Sequence, residues 1–437
     1  MKRRLGVGPL VAATYFMVSG GPYGLEEIVA GCGYGGALWV LTLTPLLWSL
    51  PTALLIGELA AALPDEGGYY AWVRRALGRF WGFQEAWLSL VASVFDMAIY
   101  PTLFTLYLGK LWPALAVGRV PIVVGAAMIA SCALWNLRGA GSVGRGAVVM
   151  TVALLLPFAA LILMALTHAP VAPPPAAATA TTGLWGGVLV AMWNYMGWDN
   201  ASTIAAEVDR PQRSYPLAML GALALVTATY LVPVAAVAHS GLDPRGWSTG
   251  GWVDAGRALG GAWLGGAIVL GGVVCGVGMF NALLMSYSRL PLAMARDGLL
   301  PRIFARTRPG SGAPWVSIVA CSVAYTACLS LGFVRLIELD VMLYGASLLL
   351  EFVALVALRL REPSLPRPFR IPGGTATVAL LGLAPAVLIA TALWSGRHEQ
   401  AVALPTLLLG AMMVLAGPLV YWMSRRLGTR RTRWREW

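Results

Sequence analysis

Apolar runs of about 20 residues recur along almost the whole chain. Each run is long enough to cross a hydrocarbon layer of roughly 30 Å as an α-helix. Only 11% of the 437 residues are charged, against roughly 25% in an average soluble domain. One water-soluble core cannot bury so much apolar surface, so the sequence predicts an all-α membrane protein whose solvent is the lipid bilayer.

The apolar runs divide into twelve predicted transmembrane helices. The first run continues past Gly24 toward Gly36, which is longer than the apolar part of a cleavable signal peptide, so we count it as a span. The twelve spans are predicted at residues 8–36, 38–63, 80–108, 120–137, 143–167, 184–207, 214–239, 262–290, 314–332, 338–358, 376–395 and 402–423.

The basic residues indicate how these spans are oriented. With both termini placed in the cytoplasm, most of the 31 lysines and arginines fall on the inner side, as the positive-inside rule requires. The formal charge of +12 therefore reflects topology and predicts no nucleic-acid partner. We expect a multi-pass protein of the cell (inner or plasma) membrane. The basic residues left outside are Lys110, Arg119, Arg245, Arg257, Arg335 and Arg397.

Two connections differ in composition from the others. Residues 169–183 are rich in Pro, Ala and Thr and carry no charge, which is typical of a linker between two halves, residues 1–168 and 184–358. The connection 359–375 contains the sequence REPSLPRPFRIPGG, whose prolines exclude a continuous helix. It separates the first ten spans from a last pair of helices, residues 376–423, and from a basic cytoplasmic tail, residues 424–437.

Two spans carry helix-breaking sequences at their middle. Residues Ser19–Gly24 (SGGPYG) interrupt the first span, and residues Trp193–Asn200 (WNYMGWDN) interrupt the sixth, which also places an aspartate inside an apolar segment. Interrupted helices at corresponding places in two halves indicate a transporter built from inverted repeats, with its substrate at mid-membrane. The alternative is that both are the Pro and Gly kinks common in membrane helices.

Carboxylates near these breaks favour a cationic substrate. The opened first helix leaves backbone amides free to attract an anion. Glu26 and Glu27 sit in the first turn of the next helical segment, so their carboxylates would compete with a substrate carboxylate for these amides. Asp96 lies deep in the third span, where an unpaired charge costs several kcal/mol. A substrate ammonium would be a suitable counter-ion for it, and Tyr100 shares its helix face.

Asp199 offers a further carboxylate, with Trp193 and Trp198 as cation–π faces. Each residue also has a structural interpretation: Asp199 or Asn200 as a helix cap, Glu26 and Glu27 as capping charges, and Asp96 as a partner of nearby backbone or tyrosine. The predicted substrate-binding residues are Ser19, Gly20, Gly21, Pro22, Tyr23, Gly24, Glu27, Asp96, Tyr100, Trp193, Asn194, Trp198 and Asp199.

The chain resembles the amino acid-polyamine-organocation (APC) superfamily over nearly its whole length. Its signatures lie after the second, sixth, eighth and tenth spans, at Pro64–Tyr69 with Trp72 and Gly78–Phe83, Glu207–Pro211, Ala295–Pro301 and Arg367–Pro372. Within the superfamily it is most similar to the polyamine-uptake and L-type amino acid transporter branch, through Ser19–Gly24 with Glu26 and Glu27, Asp96–Pro101, and Trp193–Tyr195 with Trp198 and Asp199.

The resemblance implies a fold and a mode of action. The fold would contain two inverted five-helix repeats, spans 1–5 and 6–10, with two peripheral helices and with helices 1 and 6 unwound at mid-membrane. Transport would proceed by alternating access. By the same resemblance, Trp193 corresponds to the aromatic residue that closes over substrate, and Asp199 to an acidic position linked to gating or proton coupling.

The coupling ion is left open between a proton and sodium. Some relatives replace sodium with a lysine in the fifth span, but this chain has none there, around Ala147–Val152. The candidate coupling and gating residues are Glu26, Asp199, Ser286 and Ser288, since buried carboxylates can carry protons and the two serines are potential sodium ligands. The five cysteines form no CxxC pair, and we predict no cofactor and no metal site.

We therefore predict a secondary active transporter of polyamines or cationic amino acids. A transporter or exchanger of neutral or broad-range amino acids is the alternative within the same fold. A nutrient sensor that does not transport is less favoured because the tail after Trp422 is short, and an enzyme is not indicated because the sequence shows no catalytic Cys, His and Asp cluster. The expected partners are a small amine or amino acid and the lipid bilayer, with no obligatory protein partner evident.

Overall fold

The computed structural model describes residues 5–65, 67–167, 181–330, 333–398 and 404–432. The first four residues, most of the predicted linker 169–183 and the end of the predicted basic tail lie outside this part of the chain. Within it, regular structure is helical apart from one isolated bridge between Leu5 and Val208. The α-helices are α1 (Val7–Val18), α2 (Glu26–Thr44), α3 (Leu50–Ala62), α4 (Tyr69–Leu77), α5 (Arg79–Leu111), α6 (Val120–Asn136), α7 (Ala140–Thr167), α8 (Thr181–Asn194), α9 (Pro211–His239), α10 (Gly251–Tyr287), α11 (Arg289–Arg296), α12 (Trp315–Ala327), α13 (Phe333–Arg361), α14 (Thr375–His398) and α15 (Leu404–Thr432).

Short helical turns join some of these helices. A π-helical turn, Pro45–Ser49, links α2 to α3 without a loop, and its first residue, Pro45, has no backbone N–H that would need an acceptor. Four 3₁₀ segments follow at Pro113–Ala116, Trp198–Glu207, Pro244–Gly246 and Arg302–Ala305.

Six helical stretches are long and apolar enough to cross a membrane: Glu26–Ala62, Arg79–Leu111, Ala140–Thr167, Pro211–His239, Gly251–Arg296 and Leu336–Arg361. Shorter apolar helices accompany them at Val7–Val18, Val120–Asn136, Trp315–Ala327, Thr375–Thr391 and Leu407–Met423. Large apolar side chains such as Val123, Leu134 and Val149 are exposed on the outside of the bundle. These features support a membrane protein, since lipid rather than water is the solvent that such a surface needs.

Two predicted span boundaries differ from the structure for the same reason. We predicted that the first span would reach residue 36, but the chain changes direction at Gly33, where φ is 65°. We predicted that the eighth span would begin at residue 262, but α10 begins at Gly251 and kinks at Gly261, where φ is 78°. Glycine adopts positive φ without a steric penalty, so in each case a single residue redirects the helix at a position that differs from the predicted boundary.

α5 and α10 lie at the centre of the bundle, where most of their apolar length is buried. α5 packs against both α10 and α13, while α2 packs against α8 and α1 against α9. α7 is much more exposed along its apolar length and lies at the periphery. This arrangement places the two interrupted helical segments beside the buried faces of α5, α10 and α13.

A buried ion pair fixes the proline-rich connection to the bundle. Glu58 of α3 accepts hydrogen bonds from Arg359 Nε of α13 at 2.9 Å and from the backbone N–H of Ile371 at 2.8 Å. Arg367 lies 3.3 Å from the same carboxylate. Glu58 thus joins α3, α13 and the segment that leads to α14, which is a structural role.

Candidate functional site

The first helix is interrupted, as the sequence predicted, between Val18 and Glu26. Gly21 and Gly24 have φ of 80° and 92°, which explains why the break needs glycine at these positions. The polar backbone freed by the break is satisfied by neighbouring side chains: Ser19 Oγ accepts from the N–H of Gly21 at 3.1 Å, and the Trp252 indole donates to Pro22 O at 2.7 Å. The Tyr23 hydroxyl in turn donates to Ile268 O at 2.5 Å.

The second interruption follows Asn194, where α8 ends and the chain passes through Gly197 with φ of 93°. The Gly197 N–H donates to the Tyr344 hydroxyl at 3.0 Å, and the Tyr230 hydroxyl donates to Asn194 O at 2.7 Å. The Trp198 indole donates to Tyr195 O at 2.8 Å. The rest of the predicted sixth span, Trp198–Glu207, is a 3₁₀ helix rather than the α-helix that we expected.

The two interruptions lie against each other. The Asn194 side-chain amide donates to Gly24 O at 3.3 Å, which links the second break directly to the first. Gly197 also packs so closely on the backbone of Met17 that a side chain there would collide with it. Segments that are far apart in the sequence therefore form one region of non-helical backbone, buried inside protein as such backbone must be in a membrane.

A small cavity of about 10 Å³ lies beside this region, with room for roughly one water molecule. Two of its walls come from α1 and the second break, and the other walls come from α5, α10 and α13. No lysine or arginine is among the described residues that line it. The lining residues are Met17, Val18, Asp96, Tyr100, Trp193, Met196, Gly197, Tyr287, Asp340 and Tyr344.

Asp96 is the predicted carboxylate that reaches this cavity directly. It is buried on α5 and accepts a hydrogen bond of 2.5 Å from the hydroxyl of Tyr100, one helical turn later. Trp193 and Tyr287 also approach its carboxyl group. The structure thus brings together Asp96, Tyr100 and Trp193, three of the residues that the sequence indicated.

Asp199 lies behind the cavity wall instead of in it. Its carboxylate accepts a hydrogen bond from the Tyr344 hydroxyl, the same hydroxyl that accepts the Gly197 N–H. Tyr344 lines the cavity, so it connects the cavity to Asp199. This geometry places Asp199 beside the break without direct access to a bound molecule in this conformation.

Asp340 is a cavity residue that we did not predict. It lies on α13 one turn before Tyr344, only 2% of its surface is exposed, and it accepts no hydrogen bond from the part of the chain that the structure describes. Its signal in the sequence was a lone aspartate inside the tenth predicted span, residues 338–358. A carboxylate within an apolar span is a reason to expect function in itself.

Glu26 and Glu27 do not line the cavity. Glu26 is buried and holds the first break closed, accepting hydrogen bonds from the N–H groups of Gly24 at 2.7 Å and Gly250 at 3.2 Å and from the Tyr107 hydroxyl. Glu27 is exposed and accepts from the N–H and the hydroxyl of Thr249 at 3.1 and 2.8 Å. Because only one face of a helix can point inward, these neighbours diverge, and our placement of Glu27 among the cavity residues does not match its position.

The other predicted residues support the breaks rather than the cavity. Ser286 donates to the Asn200 side-chain oxygen at 2.7 Å and accepts from Thr203 at 3.1 Å, while Ser288 Oγ lies 3.4 Å from Met285 O in its own helix. Within the described residues no group of three or more His, Cys, Asp and Glu side chains is arranged to hold a metal ion. The predicted residues that surround the cavity without lining it are Ser19, Gly20, Gly21, Pro22, Tyr23, Gly24, Asn194 and Trp198.

Comparison with known proteins gives consistent matches over most of the chain. A family profile described as amino acid permease matches residues 11–416. A probable polyamine transporter of Arabidopsis thaliana is 37% identical over 88% of this chain and 81% of its own length. Polyamine transporter PUT1 of Oryza sativa subsp. japonica is 35% identical over 92% of this chain and 75% of its own. A methylthioribose transporter of Bacillus subtilis (strain 168) is 26% identical over 97% of this chain and 91% of its own.

Proposed function

Because the chain belongs to the amino acid permease family of the APC superfamily, we propose that it moves polyamines or cationic amino acids across a membrane by alternating access. It is a transporter of polyamines or amino acids and not an enzyme, as its family and its relatives indicate. The narrower choice of cationic substrates rests on the chemistry of the cavity.

The observation that carries this choice is the pair of buried carboxylates at one cavity. Asp96 and Asp340 both line it, and Asp340 accepts no hydrogen bond from the described residues. A buried anion requires a counter-charge, and an ammonium group supplies one. Trp193 and Tyr100 add aromatic faces that favour a cation over a neutral group.

The state of the first break argues against an α-amino acid carboxylate as the main ligand. The amides that could bind such an anion are partly used within the protein, since Ser19 accepts the Gly21 N–H and Glu26 accepts the Gly24 N–H. A carboxylate would have to displace Glu26, whereas an amine meets acceptors already in place. Neutral amino acids therefore remain the second candidate, supported by the family rather than by the cavity.

We extend the proposal to the architecture. The two breaks lie five predicted spans apart and face each other, which supports two inverted five-helix repeats, spans 1–5 and 6–10, followed by two peripheral helices. The distribution of basic residues supports cytoplasmic termini and a location in the inner or plasma membrane. On this arrangement the cavity lies near mid-membrane.

Contacts on both sides of the cavity support alternating access from a closed conformation. On the proposed outer side, Glu26 joins the first break to Gly250 and Tyr107. On the proposed inner side, Arg289 Nε donates to Glu207 at 3.0 Å, and the Leu5 N–H donates to Glu207 O at 2.9 Å. A substrate larger than one water molecule enters only after one of these sets of contacts opens.

Uptake of labelled putrescine into liposomes that contain the full chain tests the proposal. We expect saturable uptake that spermidine or arginine inhibits and leucine does not. Uptake of leucine with no response to any amine would instead support the neutral amino acid alternative.

A second experiment identifies the coupling ion. Proton and sodium gradients are imposed one at a time across the liposome membrane. We propose the proton as the coupling ion because buried carboxylates surround the site.

A further inference from the structure

A second pair of buried carboxylates lies on the same two helices as the cavity pair. Glu85 is on α5 and Glu351 on α13, and each has 0% of its surface exposed. Both are eleven positions away from the cavity aspartates, Asp96 on α5 and Asp340 on α13, which corresponds to about 16 Å along each helix. Neither glutamate lines the cavity.

Hydrogen bonds show that the two glutamates lie at the same level of the bundle. The hydroxyls of Ser89 and Ser347 are 3.1 Å apart, and Ser347 Oγ donates to Glu85 Oε1 at 3.0 Å. α5 and α13 pack against each other. Ser89 meets Ser347 and Asp96 lies at the same cavity as Asp340, so the two helices run antiparallel and a step back along α5 matches a step forward along α13. From this serine pair, one further turn on each helix leads to Glu85 and to Glu351.

The hydrogen bonding of this pair is incomplete. Both carboxyl oxygens of Glu351 and Oε2 of Glu85 are buried and have no partner in the described part of the chain. The side chain of Tyr69, on α4, is buried close to both glutamates. An ionised carboxylate without a partner costs several kcal/mol in such a place, whereas a protonated one is neutral and gains its own donor.

The surroundings supply no cation to balance the pair. The charges that act on Glu351 are those of Asp199 and Glu85, both acidic. Of the other helices packed on α13, α8 has no ionisable residue, and α3 has Glu58, which pairs with Arg359. The two arginines of α4, Arg74 and Arg75, lie in its last turn and pair with Asp297 and Glu362 instead. In sequence, α14 has no ionisable residue before Arg397 near its C-terminal end, and α15 has none before Tyr421.

One continuous helix face connects this pair with the cavity. Asp340, Tyr344, Ser347 and Glu351 follow each other on α13 at intervals of three and four residues, and so share one side of the helix. Tyr344 is bonded to Asp199, and Ser347 is bonded to Glu85. Polar groups therefore extend from the substrate cavity to Glu351 through an otherwise apolar helix interface.

We propose that Glu85 and Glu351 form a proton-binding site, separate from the substrate cavity, whose bound proton couples transport to the proton gradient. This inference rests on the proposed function of proton-coupled transport. In the closed conformation one proton neutralises Glu351 and leaves Glu85 as the acceptor for Ser89 and Ser347. When the proposed cytoplasmic side opens, water reaches the site and the proton leaves Glu351 for water, which is the step that the gradient drives.

The test compares wild-type protein with Glu351→Gln and Glu85→Gln in liposomes, with Glu362→Gln as a matched control because that carboxylate is partly exposed and paired with Arg75 outside the spans. We expect Glu351→Gln to bind labelled putrescine and to exchange it across the membrane as the wild type does, but to lose accumulation driven by a pH gradient. The control should accumulate putrescine normally. Gradient-driven accumulation in Glu351→Gln at the wild-type level would overturn the proposal.

A measurement without substrate separates this inference from the proposed function. The melting temperature of the wild type should fall as the pH rises above about 4.3, the ordinary pKa of a glutamate, because deprotonation of Glu351 creates a buried, unpaired charge. Glu351→Gln should flatten this fall. If no amine binds to the wild type but the flattening is found, the proposed substrate is wrong and the proton site stands; if the two pH profiles coincide, the proton site is refuted whatever the substrate.

Discussion

The two aspartates at the cavity differ in how their charges are supported. Asp96 accepts a hydrogen bond from Tyr100, whereas Asp340 accepts none from the described residues. A substrate ammonium would therefore contribute more to the balance of Asp340, because a buried charge without a partner is the costlier one. We therefore propose that Asp340, a residue on α13 that sequence reasoning overlooked, is the main counter-ion for a cationic substrate.

We expect Asp340→Asn and Asp96→Asn each to reduce putrescine uptake strongly. Loss of one partner of a buried charge pair typically costs about 2–5 kcal/mol, which corresponds to a loss of affinity of more than roughly tenfold. Radiolabel uptake and direct binding to purified protein measure the effect. Asp254→Asn is the matched control, since that side chain is 60% exposed and pairs with Lys110 and Arg257 away from the cavity. Unchanged putrescine binding in both cavity variants would contradict the assignment.

A second residue-level prediction concerns Tyr344. Its hydroxyl accepts the Gly197 N–H and donates to Asp199, so Tyr344→Phe leaves a buried donor and a buried carboxylate short of a partner. We expect a lower melting temperature, consistent with a cost of about 1–3 kcal/mol, together with impaired transport. Tyr325→Phe serves as control, because the Tyr325 hydroxyl contacts Ser93 away from the breaks. Normal transport by Tyr344→Phe would show that the link to Asp199 is dispensable.

At the scale of the helices, we expect the interrupted segment after α8 to tolerate substitution poorly. Gly197 combines a φ of 93° with close contact to the Met17 backbone. We expect Gly197→Ala to destabilise the protein and abolish transport, since positive φ and a steric clash act together. In Gly186→Ala, on α8, the added methyl group would meet no atom within 4 Å, so this variant should preserve transport, with equal or slightly higher stability. Thermal melting and uptake assays on both variants test this, and equal behaviour would refute it.

In the molecule as a whole, the buried pair between Glu58 and Arg359 holds the proline-rich connection against α3 and α13. We expect Glu58→Gln to lower the melting temperature by several degrees, because breaking a buried pair leaves an uncompensated charge and costs about 3–5 kcal/mol. The control is Glu362→Gln. The hydrogen bond from Arg75 lowers the pKa of Glu362, but a surface pair of this kind contributes only about 0–1 kcal/mol to the free energy of unfolding. A similar melting temperature for both variants would remove the structural role of Glu58.

Much of the architecture was accessible from the sequence. The lengths of the apolar runs predicted a membrane protein, and the Gly and Pro clusters predicted the helix interruptions at residues 19–25 and 195–197, because these residues act on the backbone locally. Asp96 was identified in the same way, as a carboxylate deep within an apolar span. The twelve-span count and the inverted repeat remain predictions.

Only the tertiary structure decided which side chains meet. It placed Asp340 at the cavity, directed Glu26 toward the Gly24 and Gly250 amides and Glu27 outward, and set Glu85 beside Glu351. These outcomes depend on the rotation and register of helices packed on one another, with partners hundreds of residues apart. The pattern within one helix specifies its length, its apolar character and where it breaks, but it does not specify which residue of another helix lies opposite.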